Sequence, residues 1–291
     1  MSNTINKFTQ YITLLDEVYK TASVTSVLDG APELARQGAN ANELIIPKIS
    51  MNGLADYGRS SGYVSGDVTF TNETVSCNYD RARKFTVDAV DDIDTAGMAF
   101  GRLSSEFIRT KVAPELDAFR FATYAGTSGI STVDGAALST GAGAIAAIAL
   151  AADGMTDKEV PAENRHLFIT STILGLIRDL DTTKSREIMS SFASTVVVPQ
   201  SRFYTAIDLY DGTTDGETAG GYVKASGGKN INFMIIHKPA AIQFEKRNVN
   251  KIFTPDENQD ADGWIFNFRE VGIADVYDNK VDGIYLHKAA S

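Results

Sequence analysis

A long β-prone arm with a tip of small residues is the feature that most constrains how this chain can fold. LIIPKI (44–49) is a β-prone run, and three more follow at DVTF (67–70), ETVSCNY (73–79) and RKFTVDAV (83–90). The intervening segment is rich in small residues, namely Gly53, Gly58, Gly62, Gly66, Ser50, Ser60, Ser61 and Ser65. Strand runs joined by glycine and serine predict a long β-hairpin. The tip has few large apolar residues for a core of its own, and a long arm usually has a function or a partner.

Helical periodicity follows the arm between residues 95 and 124. Apolar residues recur there at three- and four-residue spacing, with one shift in phase, at Phe100, Leu103, Phe107, Ile108, Val112, Leu116 and Phe119. This spacing predicts a long helix with one apolar side. Pro114 lies inside the pattern and predicts a kink or a restart, because proline removes a backbone hydrogen bond. A second amphipathic helix is predicted near the N-terminus, at 5–20.

The middle of the chain alternates between helical and β-prone segments. Residues 142–152 are small and apolar, and they predict a helix that packs closely against its neighbours. Further segments predict strands at 166–170, 196–199, 203–210 and 231–237, a helix at 173–180, and a short helix at 239–246 opened by Pro239. The order indicates an α/β or α+β module.

The C-terminal part is β-prone again. Trp264, Phe266 and Phe268 alternate with polar residues, so they are expected on one face of a strand. Two β-prone runs at 272–277 and 281–287 flank Asp-Asn-Lys (278–280), which predicts a hairpin. The whole chain is therefore predicted to be α+β.

Composition excludes several classes of protein. The 291 residues are 43% hydrophobic and 22% charged, which suits a folded domain rather than a disordered chain. The net charge of −10 argues against a protein that wraps DNA by neutralising phosphates. A lone Cys77 excludes an intramolecular disulfide and suits a reducing compartment. The first ten residues have no basic region followed by an apolar run, so no signal peptide is expected.

No catalytic, cofactor or metal site is predicted. The three histidines are far apart, and no phosphate-binding loop or nucleophile elbow occurs. Residues 141–146 (GAGAIA) imitate a dinucleotide fingerprint, but no clear strand precedes them and tight helix packing explains them better. Residues 258–263 begin like a calcium loop, yet Asn258 stands at the first position and Arg269 where a bidentate Glu belongs. A solvated acidic turn is the preferred interpretation.

Three stretches resemble the major capsid proteins of tailed bacteriophages. They are YDRARKFTVD (79–88), EFIRTKVAPELDAF (106–119), and the segment from VNKIF (249–253) through DGW (262–264) to DNKVDGIY (278–285). The order of segments also resembles that capsid fold, which encapsulins and the herpesvirus capsid floor share. The resemblance covers nearly the whole chain.

The resemblance implies a domain organisation and a structural function. Residues 1–43 would form an N-arm, 44–90 an extended loop over a neighbouring subunit, 91–125 and 247–291 a peripheral domain with a spine helix (95–125), and 126–246 an axial domain. The chain would self-assemble as pentamers and hexamers into an icosahedral shell around double-stranded DNA, in the host cytoplasm. It would need a separate scaffolding protein, a portal, and a protease or packaging machinery, but no cofactor and no membrane.

The tip of the extended loop supplies the candidate residues for contacts between subunits. These are Asn52, Tyr57, Arg59, Tyr63 and Gly66. Three alternatives stay open at this point: an encapsulin-type nanocompartment shell, a cytosolic enzyme, and a tail or sheath protein of the same phage class. Some relatives join their subunits by a lysine–asparagine isopeptide bond. The only lysines between 44 and 90 are Lys48 and Lys84, which are expected near the base of the hairpin, so no such bond is predicted.

Overall fold

The computed structural model describes residues 23–30, 36–37, 43–60, 62–89, 98–135 and 137–290. The helix predicted at 5–20 lies outside them. The strands are β1 Arg36–Gln37, β2 Glu43–Met51, β3 Val68–Ser76, β4 Tyr79–Asp88, β5 Ser131–Val133, β6 Arg165–Thr170, β7 Ser194–Val198, β8 Ile207–Leu209, β9 Tyr222–Lys224, β10 Ile231–His237, β11 Ala241–Phe253, β12 Gly263–Val276 and β13 Ile284–Lys288. The α-helices are α1 Met98–Phe107, α2 Ala113–Gly126, α3 Gly141–Asp157, α4 Ser171–Leu180 and α5 Thr183–Ser190.

A single long helical path runs through α1 and α2, with the π-helical segment Ile108–Val112 between them. Pro114 explains this segment, because proline cannot donate to the carbonyl four residues earlier and its ring would collide with it. The backbone N–H of Ala113 instead donates to the carbonyl of Ile108, five residues back. The predicted interruption is thus a π-helical insertion, one of the usual causes of a helix irregularity.

A five-stranded sheet in the order β5-β13-β10-β6-β7 forms the centre of the larger half of the molecule. Helices α3, α4 and α5 cover one face, where Ile148 and Phe233 are fully buried. Helix α2 covers the other face with Phe121 and Tyr124. The predicted strand at 231–237 is the central β10, and a strand buried on both faces reads as a continuous apolar run.

The close contact of α3 with α4 confirms the packing interpretation of the glycine-alanine run. A Cβ atom at Gly141 would collide with the backbone carbonyl of Leu176. Thr140 caps the helix, because its side chain accepts a hydrogen bond from the backbone N–H of Gly143 at 3.1 Å. Glycine is therefore required here for close approach of two helices.

A three-stranded sheet in the order β11-β12-β4 packs against the long helix. Phe266 and Phe268 of β12 lie on the buried face, as predicted, and contact Phe107 of α1 with ring centroids 6.4 and 5.8 Å apart. Phe85 of β4 completes this aromatic cluster at 4.7 Å from the Phe107 ring. The alternation read from the sequence thus identifies the face that meets the helix.

Two predictions for the C-terminal half are wrong. Residues 239–246 form no α-helix, because a 3-10 turn at Lys238–Ala240 leads directly into β11, which pairs with β12. The hairpin predicted around 278–280 is absent as well. A 3-10 segment, Asp278–Gly283, separates β12 from β13, and β13 crosses into the five-stranded sheet. Residues 284–288 are therefore hydrogen-bonded within the sheet built by 126–246, and not beside the other C-terminal strands.

The β2–β3 hairpin stands beside these two sheets, with the short β1 paired to β2. Its antiparallel pairing runs from Glu43 opposite Ser76 to Met51 opposite Val68. The chain then leaves the hairpin, and β4 pairs along its length with β12. The predicted extended segment, 44–90, thus contains both the hairpin and the first strand of another sheet.

Candidate assembly surfaces

The hairpin carries most of the exposed apolar surface of the described chain. Eleven large apolar side chains are exposed among all the described residues, and eight of them lie between residues 49 and 70. They are Ile49, Met51, Leu54, Tyr57, Tyr63, Val64, Val68 and Phe70. A contiguous apolar patch of this kind marks an interaction site or an aggregation hazard.

The register of the hairpin places four of these side chains on one face. Ile49 lies opposite Phe70, and Met51 lies opposite Val68. Residues directly opposite in an antiparallel pair share a face, and so do residues two apart on one strand. The other face of the same stretch has Ser50 opposite Thr69. The outer end of the hairpin is therefore a ribbon with one apolar and one polar face.

The tip has local structure of its own. The backbones of Gly58 and Gly62 exchange hydrogen bonds of 3.3 and 2.7 Å, and Gly62 has a φ of +75°, which favours glycine. This bridge brings the rings of Tyr57 and Tyr63 to a centroid distance of 5.0 Å. Tyr63 is nevertheless 90% exposed, so the ring pair displays its surface to solvent.

All five residues that the sequence suggests for subunit contacts lie at this tip. Tyr57 and Tyr63 form the ring pair, and Arg59 is exposed in the turn between them. Asn52 and Gly66 are neighbours across the hairpin, since a Cβ on Gly66 would lie 3.9 Å from that of Asn52. Sequence reasoning missed the apolar face next to the tip. The alternation Ile-x-Met (49–51) and Val-x-Phe (68–70) is the signal that could have found it.

The base of the hairpin is fixed to the body of the protein. Val75 is 5% exposed and packs on Ile242 and Ile273. Beyond β3, the side-chain amide of Asn78 donates to the carbonyl of Ala274 at 2.7 Å and accepts from its backbone N–H at 3.1 Å. The hairpin thus has a buried, hydrogen-bonded base and an outer end whose apolar side chains are exposed.

A second anchored element is the N-terminal strap, residues 23–30, which lies on α2. The carboxylate of Asp117 is fully buried and accepts hydrogen bonds from the hydroxyl groups of Ser23 and Thr25 at 2.7 Å each. It also accepts from the backbone N–H groups of Val24 and Thr25, at 3.0 and 3.1 Å, and from Arg202 at 3.1 Å. This carboxylate fixes the point at which the N-terminal segment meets the body.

Strands β4 and β12, the long helix and the segment 199–224 enclose a groove of about 1360 Å³. On its wall Arg81 donates to Glu115 at 2.7 Å and to the carbonyl of Tyr210 at 2.7 Å. Tyr79 donates to Glu115 at 3.3 Å, and burial together with that carboxylate raises the pKa of Tyr79 well above its ordinary value. Burial raises the pKa of Tyr222 to about 12. These phenols stay neutral at physiological pH, and the groups hold the groove together by hydrogen bonds.

The described residues do not form a recognisable catalytic or metal site. Among them, no three His, Cys, Asp or Glu side chains are placed to hold a metal ion. His166 Nδ1 lies 2.7 Å from Ser194 Oγ, but the two are cross-strand neighbours of β6 and β7. Its Nε2 is buried with no hydrogen-bond partner, so no carboxylate orients the ring as in a catalytic triad. The side chain of Asn258 closes its own turn, with bonds to Gly263 and Asp260.

The described helices include none with the length and apolarity needed to cross a membrane.

Comparison with known proteins places the fold. No protein-family model and no curated protein matches the chain. Among solved structures, the capsid of cyanophage P-SCSP1u is 13% identical, with a TM-score of 0.55 over 88% of this chain and 86% of that one. The capsid of Staphylococcus phage Andhra is 11% identical, with a TM-score of 0.57 over 89% and 83%. A virus-like particle from Pyrococcus furiosus is 11% identical, with a TM-score of 0.58 over 94% and 96%. Each likeness covers most of both chains, and this chain has the phage capsid fold.

Proposed function

We propose that this chain is the major capsid protein of a tailed bacteriophage or a related prophage, a structural subunit without catalytic activity. The main support is a fold shared with phage capsids over more than 80% of both chains. The exposed hairpin gives independent support, because an apolar ribbon on a soluble subunit indicates a missing partner. A shell supplies that partner as another copy of the same chain.

The hairpin is the proposed extended loop, and its outer end makes the main contact with a neighbouring subunit. Asn52, Tyr57, Arg59, Tyr63 and Gly66 lie at the tip, and the apolar face formed by Ile49, Met51, Val68 and Phe70 adjoins it. Burying this face between copies would stabilise the contact by about 25 cal/mol for each Å² removed from water. The contact needs no folding of the hairpin, because its strands are already paired.

The proposed domains follow the sheets. The peripheral domain contains the long helix and sheet β11-β12-β4, and the axial domain contains the five-stranded sheet with α3, α4 and α5. The axial domain gains residues 284–288, since β13 is hydrogen-bonded between β10 and β5. Residues 1–43 are the proposed N-arm, and the strap at 23–30 fixes where that arm leaves the body.

The proposed shell consists of pentamers and hexamers and encloses double-stranded DNA without binding it tightly. A net charge of −10 per subunit opposes adhesion of DNA, which favours packaging and release. Assembly takes place in the host cytoplasm, with a scaffolding protein, a portal and packaging machinery as partners. No step of this function requires a cofactor.

Expression of the chain alone and with its neighbouring genes, followed by electron microscopy, tests the proposal. We expect ring-shaped capsomers or closed shells, and megadalton particles in size-exclusion chromatography. Nucleic acid extracted from particles made during infection or prophage induction should be double-stranded DNA. Tubes would favour a tail protein, particles filled with an enzyme would favour a nanocompartment, and a monomer under every condition would refute assembly.

A further inference from the structure

The outer face of α3 is apolar where solvent should favour polar residues. Exposed residues on this face follow three- and four-residue spacing, at Ala142, Ala146, Leu150, Asp153 and Asp157. Leu150 stands in the middle of this face and is 66% exposed. Over 142–152 the helix is apolar on every side, a pattern typical of helices that are buried all round. Within the described structure the sheet and α4 cover the inner sides, and Ala142, Ala146 and Leu150 stay exposed.

A groove that also offers apolar side chains lies between other elements of the same helical layer. It lies between α4, α5 and the edge strand β7, with a volume of about 440 Å³. Leu174, Ile177, Met189 and Val197 line it, and Val197 is 41% exposed. The groove therefore offers apolar side chains beside a sheet edge, framed by polar ones (Arg178, Asp181, Ser185, Arg186 and Thr195).

The charges at the two surfaces are complementary. The outer face of α3 ends in two exposed carboxylates, Asp153 and Asp157, and no described residue forms an ion pair with either. At the rim of the groove, the guanidinium of Arg186 forms an ion pair with the carboxylate of Asp181 at 2.7 Å. Arg178, also on the rim, is exposed and has no carboxylate partner in the described chain. An unpaired arginine thus borders one apolar surface, and unpaired aspartates border the other.

We propose that the outer face of α3 in one copy packs into the α4–α5–β7 groove of the next copy around a ring. Leu150 enters the groove, and Asp153 pairs with Arg178 of the neighbour. The two surfaces differ, so the contact is head-to-tail, and such contacts close into rings when the rotation fits. The inference rests on the proposed capsid function and adds a second interface, which does not involve the hairpin.

A charge exchange tests the pairing. We expect Asp153→Arg and Arg178→Asp each to raise the critical concentration for assembly about tenfold or more, by placing like charges together. The double variant should restore assembly to within about threefold of the unmodified chain. Asp179→Arg is the matched control, because Asp179 neighbours Arg178 in sequence but does not line the groove. The proposed pairing of Asp153 with Arg178 is refuted if the single variants assemble normally. It is also refuted if the double variant assembles as poorly as the two single variants.

Crosslinking tests the contact directly. In a Cys77→Ser background, Leu150→Cys subunits are co-assembled with Met189→Cys subunits and treated with a short bis-maleimide. We expect covalent heterodimers from mixed particles, and none from particles of either variant alone. Leu150→Asp should block assembly while leaving the melting temperature unchanged, because the side chain is exposed in the free subunit.

These outcomes separate the two proposals. If the unmodified chain never forms rings or shells, the capsid function itself is wrong. If it assembles, while Leu150→Asp assembles equally well and no heterodimer forms, the capsid function stands and the α3–groove contact is refuted.

Discussion

The hairpin β2–β3 and the central strand β10 are both rich in apolar side chains, yet they use them in opposite ways. In β10, Phe233 and Ile235 are fully buried between two helical layers. In the hairpin, Phe70 is 71% exposed and Ile49 is 51% exposed. Strand β10 stabilises the subunit, and we propose that the hairpin makes contacts between subunits. The difference shows that an apolar stretch of sequence does not by itself identify the buried core.

The sharpest test of this comparison is a matched pair of phenylalanines. We expect Phe233→Ala to lower the free energy of unfolding by about 3–5 kcal/mol, because it leaves a cavity in the core. Phe70→Ala should change it by no more than about 0.5 kcal/mol, because the ring is exposed in the free subunit. Urea unfolding of disassembled subunits measures both values. Similar losses for the two variants would mean that the hairpin contributes to the subunit core.

The strap is the next most sensitive element. Asp117→Ala should destabilise the subunit by about 3 kcal/mol, because it removes a fully buried carboxylate and leaves Arg202 and several donors without their acceptor. Asp153→Ala serves as the exposed control, with an expected change within about 0.5 kcal/mol. Equal unfolding midpoints for the two variants would refute the role of Asp117 as an anchor.

Acidification should weaken the five-stranded sheet in particular. Burial lowers the pKa of His166, His237 and His287, all of which lie in this sheet. Arg165 and Lys280 lower the pKa of His237 further, and Lys238 lowers that of His166. The unfolded chain then binds more protons, so this stability is complete above about pH 6.5 and is lost as the pH falls towards the folded pKa values.

Melting curves between pH 7.5 and 5 measure this loss. A variant with all three histidines replaced by glutamine should lose less stability over that range than the unmodified chain. Identical pH profiles for the two proteins would contradict the prediction.

Removal of the hairpin tip should barely change folding and should abolish assembly. Replacing residues 52–67 with a two-residue Asn-Gly turn keeps β2 and β3 paired from Met51 and Val68 inward. We expect the melting temperature to change by no more than about 2 °C, while shells are absent under the electron microscope. A truncated chain that does not fold would show that the tip belongs to the core.

The smallest expected effect concerns covalent joining of subunits. Lys48 lies opposite Thr71 in the middle of the hairpin, further from the base than the sequence suggested, and Lys84 lies opposite Asn267 in another sheet. The tip itself carries Arg59, whose guanidinium stays protonated and is a poor nucleophile. Mature particles boiled in detergent with reductant should give one band near 31.3 kDa. A ladder of multimers would mean that one of these lysines reaches an acceptor on a neighbouring copy.

The parts of the fold that local patterns control could be predicted from the sequence. Three signals are local: the continuous apolar run of β10, the alternation of apolar and polar residues at 264–268, and the interruption of the helix at Pro114. The structure confirms each of them. The helix predicted at 239–246 was wrong because the composition of this segment suits a helix, whereas the pairing of β11 with β12 decides its conformation. The turn signal at 278–280 is also local, and nothing local reveals that β13 pairs in a different sheet.

The candidate surfaces were only partly predictable for the same reason. The small residues of the tip indicated an arm, but the exposure of Ile49 and Phe70 depends on which elements pack against the hairpin, and no local pattern records that. The anchor between Ser23 and Asp117 joins residues 94 positions apart. The outer face of α3 shows in the sequence as a helix that is apolar all round, yet its exposed side appears only once the sheet is in place.

Under the proposed function, exposure of the hairpin before any neighbour arrives makes production of this protein a kinetic problem for the cell. Every newly made chain presents exposed apolar surface, so addition to the proposed shell would compete with aggregation, and faster synthesis would favour aggregation. The charge of −10 per copy acts in the opposite sense, holding free chains apart at a distance where short-range attraction has no effect. Salt shortens the reach of that repulsion to about 8 Å at physiological strength. The salt concentration therefore affects the balance between ordered assembly and aggregation.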